Sequence, residues 1–88
     1  MMEKVFKAMG SDTRIAILNF LGSGKKTVTD IVGKFKLSQP TISHHLKVLK
    51  DVGLVAEEKY KKWIYYRLNS DLFYGIRKFV DKIIKKGG

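Results

Sequence analysis

The sequence contains no cysteine, which excludes disulfides, thiolate-metal sites and thiol redox sensing. Acidic residues are scarce too: 8 Asp and Glu stand against 18 Lys and Arg, a formal net charge of +10. Such an imbalance favours a polyanionic partner, either nucleic acid or an anionic membrane surface. No apolar run is long enough to span a bilayer, and the N-terminus lacks the apolar stretch of a signal peptide. A soluble, cytoplasmic protein is therefore expected. No glycine-rich phosphate loop follows a strand, and the few carboxylates are scattered. Neither an enzyme nor a cofactor is expected.

What is present is a chain of 88 residues, 44% of them hydrophobic. That suffices for one folded domain, residues 1–88, but only for a small core. Pairing with a second copy is a common remedy for the modest stability such a core supplies.

Helical spacing appears first. Residues 3–9 carry Val5, Phe6 and Met9 and end at Gly10. Ser11 or Asp12 can cap a second helix with Ile15, Ile17, Leu18 and Leu21 on its apolar face, broken by Gly22-Ser23-Gly24. Thr27 followed by Asp30 has the spacing of a capping box and opens a short third helix holding Val28, Ile31, Val32 and Phe35. The single proline, Pro40, lies just behind Ser38, where a helix start tolerates a missing N–H. Ile42, Leu46 and Leu49 then repeat by four and three, Val52 completes the face, and Gly53 ends the helix. Two helices joined by a short turn make a helix-turn-helix.

After Gly53 the period changes. Leu54 to Glu58 and Trp63 to Leu68 are rich in β-branched and aromatic residues and flank Lys59-Tyr60-Lys61-Lys62, a connection of hairpin length. A basic hairpin behind a helix-turn-helix is a wing. Asn69 or Ser70 caps a last helix from about 71 to 86, with Leu72, Phe73, Ile76, Phe79, Val80, Ile83 and Ile84 on a stripe too wide for one small domain to cover. The predicted fold is mainly α with a small β-hairpin, in the order α-α-α-α-β-β-α.

These residues resemble the ArsR/SmtB family of winged helix-turn-helix repressors along nearly the whole chain. The stretch from Leu37 to Leu49, Leu-Ser-Gln-Pro-Thr-Ile-Ser-His-His-Leu-Lys-Val-Leu, carries the likeness most specifically. Met9 to Ile15, Val28 to Ile31, Gly53 to Val55 and Tyr65 to Leu68 add to it. The resemblance implies a homodimer that represses by occupying a pseudo-palindromic operator in double-stranded DNA and is released by an inducer. It also implies where metal ligands would lie. The family's cysteines fall at Thr27 and Thr29, and the last helix keeps Asp71 and Asp81 but has no His. Hydroxyls are poor soft-metal ligands, so no metal site is expected and the inducer stays unknown.

Within that frame, Gln39, Pro40, Ser43, His44 and Lys47 form the face opposite the buried one, suited to base edges and phosphate. Thr41 is assigned to phosphate, and Ser38 to the cap. Lys59, Lys61 and Lys62 are expected to grip phosphate from the wing, whose tip, lacking glycine, is expected to be a longer, looser loop. His44 and His45 diverge by about 100° on a helix and cannot chelate one ion together; His45 is read as a half-buried flank. Arg14 either crosses the DNA backbone or pairs with an acid. Trp63 is expected in core or dimer packing. Dimer contacts are assigned to Val5, Phe6, Leu72, Phe73, Ile76, Phe79, Val80 and Ile83. Two other readings stand beside this one. The first is a sequence-tolerant architectural or single-strand binder using Trp63 and Tyr60. The second is an interaction module whose last helix docks a protein or a membrane; the main reading has no membrane partner.

Overall fold

The computed structural model describes residues 2–87. Its elements run α1 (Met2–Met9), α2 (Asp12–Leu21), β1 (Lys26–Thr27), α3 (Val28–Phe35), α4 (Gln39–Asp51), β2 (Val55–Tyr60), β3 (Trp63–Leu68) and α5 (Ser70–Gly87). The expected winged helix-turn-helix architecture is present with one addition. Lys26 and Thr27 pair antiparallel with Tyr66 and Tyr65, which turns the hairpin into a three-stranded sheet of order β1-β3-β2. A two-residue strand contains no period to read, so only the partner strand reveals it.

Helix ends follow their local chemistry. Ser11 caps α2 by accepting from the Arg14 N–H at 3.3 Å. At α3 the capping box is complete: Thr27 Oγ1 accepts from the Asp30 N–H at 3.1 Å, and Asp30 Oδ2 accepts from the Thr27 N–H at 3.0 Å. Such reciprocal bonds satisfy two donors that a helix start otherwise leaves orphaned. The far end of α4 is a Schellman turn. Gly53 sits at φ +84°, the Leu54 N–H bonds the Leu49 carbonyl at 2.9 Å, and the Gly53 N–H bonds that of Lys50 at 2.9 Å. Leu49 and Leu54 are both fully buried, the apolar contact that accompanies this motif.

The core is built from Ile17 on α2, Ile31 on α3, Ile42, Leu46 and Leu49 on α4, and Leu54 ahead of β2, all nearly solvent-free. Each contributes on the order of 1.5–3 kcal/mol through burial. From α1, Val5 and Ala8 close this core. Val5 is only 5% exposed, which corrects its assignment to the dimer surface: it already packs within its own protomer. Its neighbour Phe6 is the residue that α1 leaves outside.

Asn69 stands where α5 begins, as expected, but its side-chain nitrogen donates to the Gly53 carbonyl at 2.8 Å. The first-turn N–H groups of Leu72 and Phe73 reach its backbone carbonyl instead. This ties the start of α5 to the end of α4. Leu72, Phe73 and Ile76 then lean on the core. From Arg77 to Lys86 every side chain is exposed, and the molecule measures 48 × 25 × 21 Å. No helix among the described residues is long and apolar enough to cross a membrane.

Candidate nucleic-acid interface

Helix α4 presents two contrasting sides. Ile42, Leu46 and Leu49 are at most 1% exposed, while Gln39, Pro40, Thr41, Ser43, His44 and Lys47 all face solvent. The start of the helix is rigidly set. Ser38 Oγ accepts from the Thr41 N–H at 3.3 Å and donates to Thr41 Oγ1 at 2.8 Å, with Pro40 in the first turn. The Thr41 hydroxyl therefore keeps its own proton to donate outward. Lys47 is less free than its position in sequence suggests: its Nζ lies 2.9 Å from Asp51 Oδ2, one turn on.

Behind this edge, His45 is half-buried as expected. Its Nδ1 lies 3.1 Å from Nη1 of Arg14, whose Nε donates to the Ala8 carbonyl at 2.6 Å. Arg14 thus joins helices through a carbonyl and an imidazole, where the sequence suggests an acid as its partner. Burial first, then the charge of Arg14 and the neighbouring His44, hold the His45 imidazole below its ordinary pKa. The rings of His44 and His45 are 5.7 Å apart and tilted by 55°. Among the described residues no group of three His, Cys, Asp or Glu side chains is placed to hold a metal ion.

The wing differs from expectation at its tip. β2 and β3 pair all the way to Tyr60 opposite Trp63, so Lys61 and Lys62 alone make the turn. Lys61 carries φ +56°. The looser loop is thus replaced by a tight two-residue turn in which lysine bears a left-handed conformation, because full strand pairing compensates the local cost. Lys59, Lys61 and Lys62 are exposed. The Lys61 ammonium sits 5.5 Å from the Tyr60 ring centre and that of Lys62 5.4 Å from Trp63. Trp63 is 47% exposed, which removes it from the core. Strand register puts it on the sheet face of Tyr60 and Tyr65, opposite to the face of Tyr66 and Leu68 that packs inward.

Wing and recognition helix are joined by a contact that sequence inspection misses. Lys50 Nζ is 2.6 Å from Glu57 Oε1, and the Tyr66 hydroxyl donates to the same oxygen at 3.4 Å. The hydrogen bond raises the Lys50 pKa and lowers that of Glu57, while burial, then the Glu57 charge, raises that of Tyr66. Lys47 and Asp51 share a visible four-residue spacing; Lys50 and Glu57 lie across the Gly53 turn and show none.

On the remaining surface, Phe6 packs against Phe79 with ring centres 5.8 Å apart, bringing α1 beside α5. Phe79, Val80, Ile83 and Ile84 are exposed along α5, Ile83 by 55%. Leu72, Phe73 and Ile76 are partly consumed by the protomer's own core.

Known proteins match this arrangement. The family described as "Bacterial regulatory protein, arsR family" matches residues 11–57, from the cap of α2 through α4 into the wing. The transcriptional repressor SdpR of Bacillus subtilis is 37% identical over 86 residues, covering 98% of this chain and 96% of that protein. An ArsR-like transcriptional regulator from Rhodococcus sp. RHA1 superposes with a TM-score of 0.88 at 26% identity, covering 96% of this chain and 79% of that one. The homodimeric winged helix-turn-helix DNA-binding domain of Mb0332 from Mycobacterium bovis, a possible ArsR-family regulator, gives a TM-score of 0.76 at 28% identity over 92% and 79% of the two chains. The chain belongs to the ArsR family of winged helix-turn-helix transcriptional regulators.

Proposed function

We propose that residues 1–88 form one DNA-binding and dimerisation unit that acts in the cytoplasm as a homodimeric repressor at a pseudo-palindromic operator. One observation carries this reading: five polar side chains of α4, Gln39, Thr41, Ser43, His44 and Lys47, share an open edge with Pro40 while the opposite side of the helix is sealed in the core. In this reading Gln39, Ser43 and His44 meet base edges in the major groove, with Pro40 packed alongside. Thr41, Lys47, Lys59, Lys61 and Lys62 meet phosphate. Phe6, Phe79, Val80 and Ile83, extended by Leu72, Phe73 and Ile76, meet a second copy. The homodimeric state of the Mb0332 domain and the repressor role of SdpR support both halves of the proposal. With threonine at 27 and 29 and no His on α5, the signal that releases this repressor is proposed to be other than a soft metal ion.

The exposure of Tyr60 and Trp63 at the wing tip, 57% and 47%, favours a second reading, sequence-tolerant binding through stacking on unpaired bases. Selection of bound duplexes from a random pool tests both. A two-fold symmetric consensus is expected. Recovery of no consensus, with single strands competing as well as duplexes, would replace the first reading by the second.

A further inference from the structure

Two of the protein's 8 acidic residues stand in the groove between α4 and the wing, which is lined by Ser43, Lys47, Lys50, Asp51, Glu57 and Tyr66. Asp51 holds Lys47, and Glu57 holds Lys50. The groove adjoins the proposed DNA face, since Ser43 and Lys47 belong to both. Carboxylates there repel phosphate. Mechanical tethering explains Asp51 poorly, because the Lys47 and Asp51 side chains are 73% and 59% exposed, and ion pairs that open to water contribute little to a fold. Glu57, 31% exposed, joins wing to helix and neutralises Lys50 by the same bond.

We infer that Asp51 and Glu57 are internal counterions, standing in for DNA phosphate on Lys47 and Lys50 and thereby holding down affinity for duplexes of arbitrary sequence. The inference rests on α4 and the wing being the DNA face. Binding without sequence preference is driven by the cations that DNA releases when protein charges neutralise its phosphates. A lysine that must first leave a carboxylate gains less by this route. The carboxylate it abandons attracts cations as the phosphate gives one up, and the net release shrinks. Base contacts made by Gln39 and Ser43 do not depend on that exchange. The two acids therefore suppress the charge-driven part of the affinity of a +10 chain and leave the sequence-reading part intact.

The test uses Asp51→Asn and Glu57→Gln in the full chain, with anisotropy titrations on a fixed random-sequence duplex across a salt series. Each variant frees one lysine per protomer. The log affinity against log salt slope should steepen by up to about 0.9 per freed lysine, at most close to 2 for a dimer. Affinity near 0.15 M salt should rise by roughly tenfold or more. Adding Lys50→Gln to Glu57→Gln should return the slope to the wild-type value, a rescue that a merely structural role does not predict. If both acid variants keep their thermal midpoints and also keep the wild-type slope, the inference is overturned. A parallel titration of the wild type on its selected duplex separates the two ideas. Equal affinity for selected and random DNA would sink the operator reading, while the slope comparison on random DNA would still decide the role of the acids.

Discussion

Nη1 of Arg14 lies 3.1 Å from Nδ1 of His45, and the same guanidinium grips the Ala8 carbonyl, so one side chain of α2 fastens the end of α1 to the recognition helix. A guanidinium only donates. His45 must therefore accept through Nδ1 and carry its proton on Nε2, and a second proton would point at a cation. The unfolded chain binds that proton near pH 6.5, whereas the folded chain binds it only at lower pH. Stability from this contact is thus complete above about pH 6.5 and is lost as the pH falls through the folded-state value. The thermal midpoint should drop between pH 7.5 and 5.5. It should drop less in His45→Gln, which has no imidazole to protonate at this contact. Identical profiles for wild type and His45→Gln would show that the contact carries no such linkage.

Much of this arrangement was legible in the sequence, and the reason is local. Ser38, Pro40 and Gly53 fix both ends of α4 through chemistry confined to a few neighbouring residues, as Thr27 and Asp30 fix the start of α3. What escaped was set by distant partners. β1 exists because β3 offers it an edge. Arg14 and His45 are 31 residues apart. Val5 and Phe6 are adjacent apolar residues on an eight-residue helix, and only the packing of α2 and α5 decides which one turns inward.

Substitutions on the two elements proposed to contact DNA should fall into separate classes. Gln39 is exposed in the first turn of α4, and its amide can bond both N6 and N7 of adenine. Gln39→Ala should cost about 1–3 kcal/mol on the selected duplex and relax preference at one base pair. Lys62→Ala should weaken all duplexes alike and lower the salt slope by about one per protomer. Binding-site selection repeated with each variant checks this. Indistinguishable behaviour would mean the helix and wing roles are wrongly assigned.

The proposed dimer surface predicts a similar division within α1 and α5. Ile83 is exposed far from the protomer core, so Ile83→Asp should leave the fold intact. An uncompensated charge at a closed apolar interface should weaken association by several kcal/mol, on the order of the cost of burying an unpaired polar group. Sedimentation should find monomers, and operator affinity should fall with them. Val5→Ala should do the reverse, lowering the thermal midpoint through a core defect of about 1–3 kcal/mol without changing the association state. A variant at Ile83 that sediments as a dimer would place the interface elsewhere.

At the wing tip, backbone strain and the proposed DNA contact fall on one residue. Lys61 has φ +56° in a two-residue turn, and no other residue of that turn has positive φ. Positive φ at the first central residue of a two-residue hairpin turn favours glycine there. Left-handed backbone costs a residue with a Cβ about 1–2 kcal/mol, and glycine returns part of that gain by enlarging the entropy of the unfolded chain. Lys61→Gly should therefore stabilise the protein by about 0.5–1 kcal/mol net, a rise of roughly 2–6 °C in the thermal midpoint for a domain of this size. The same change removes one cation from each wing, so the salt slope of DNA binding should fall by about one per protomer. Lys61→Ala separates the two effects: it loses the charge and keeps the Cβ, and should lower the slope without raising the midpoint. Equal midpoints for the glycine and alanine variants would mean that the backbone at the tip is unstrained.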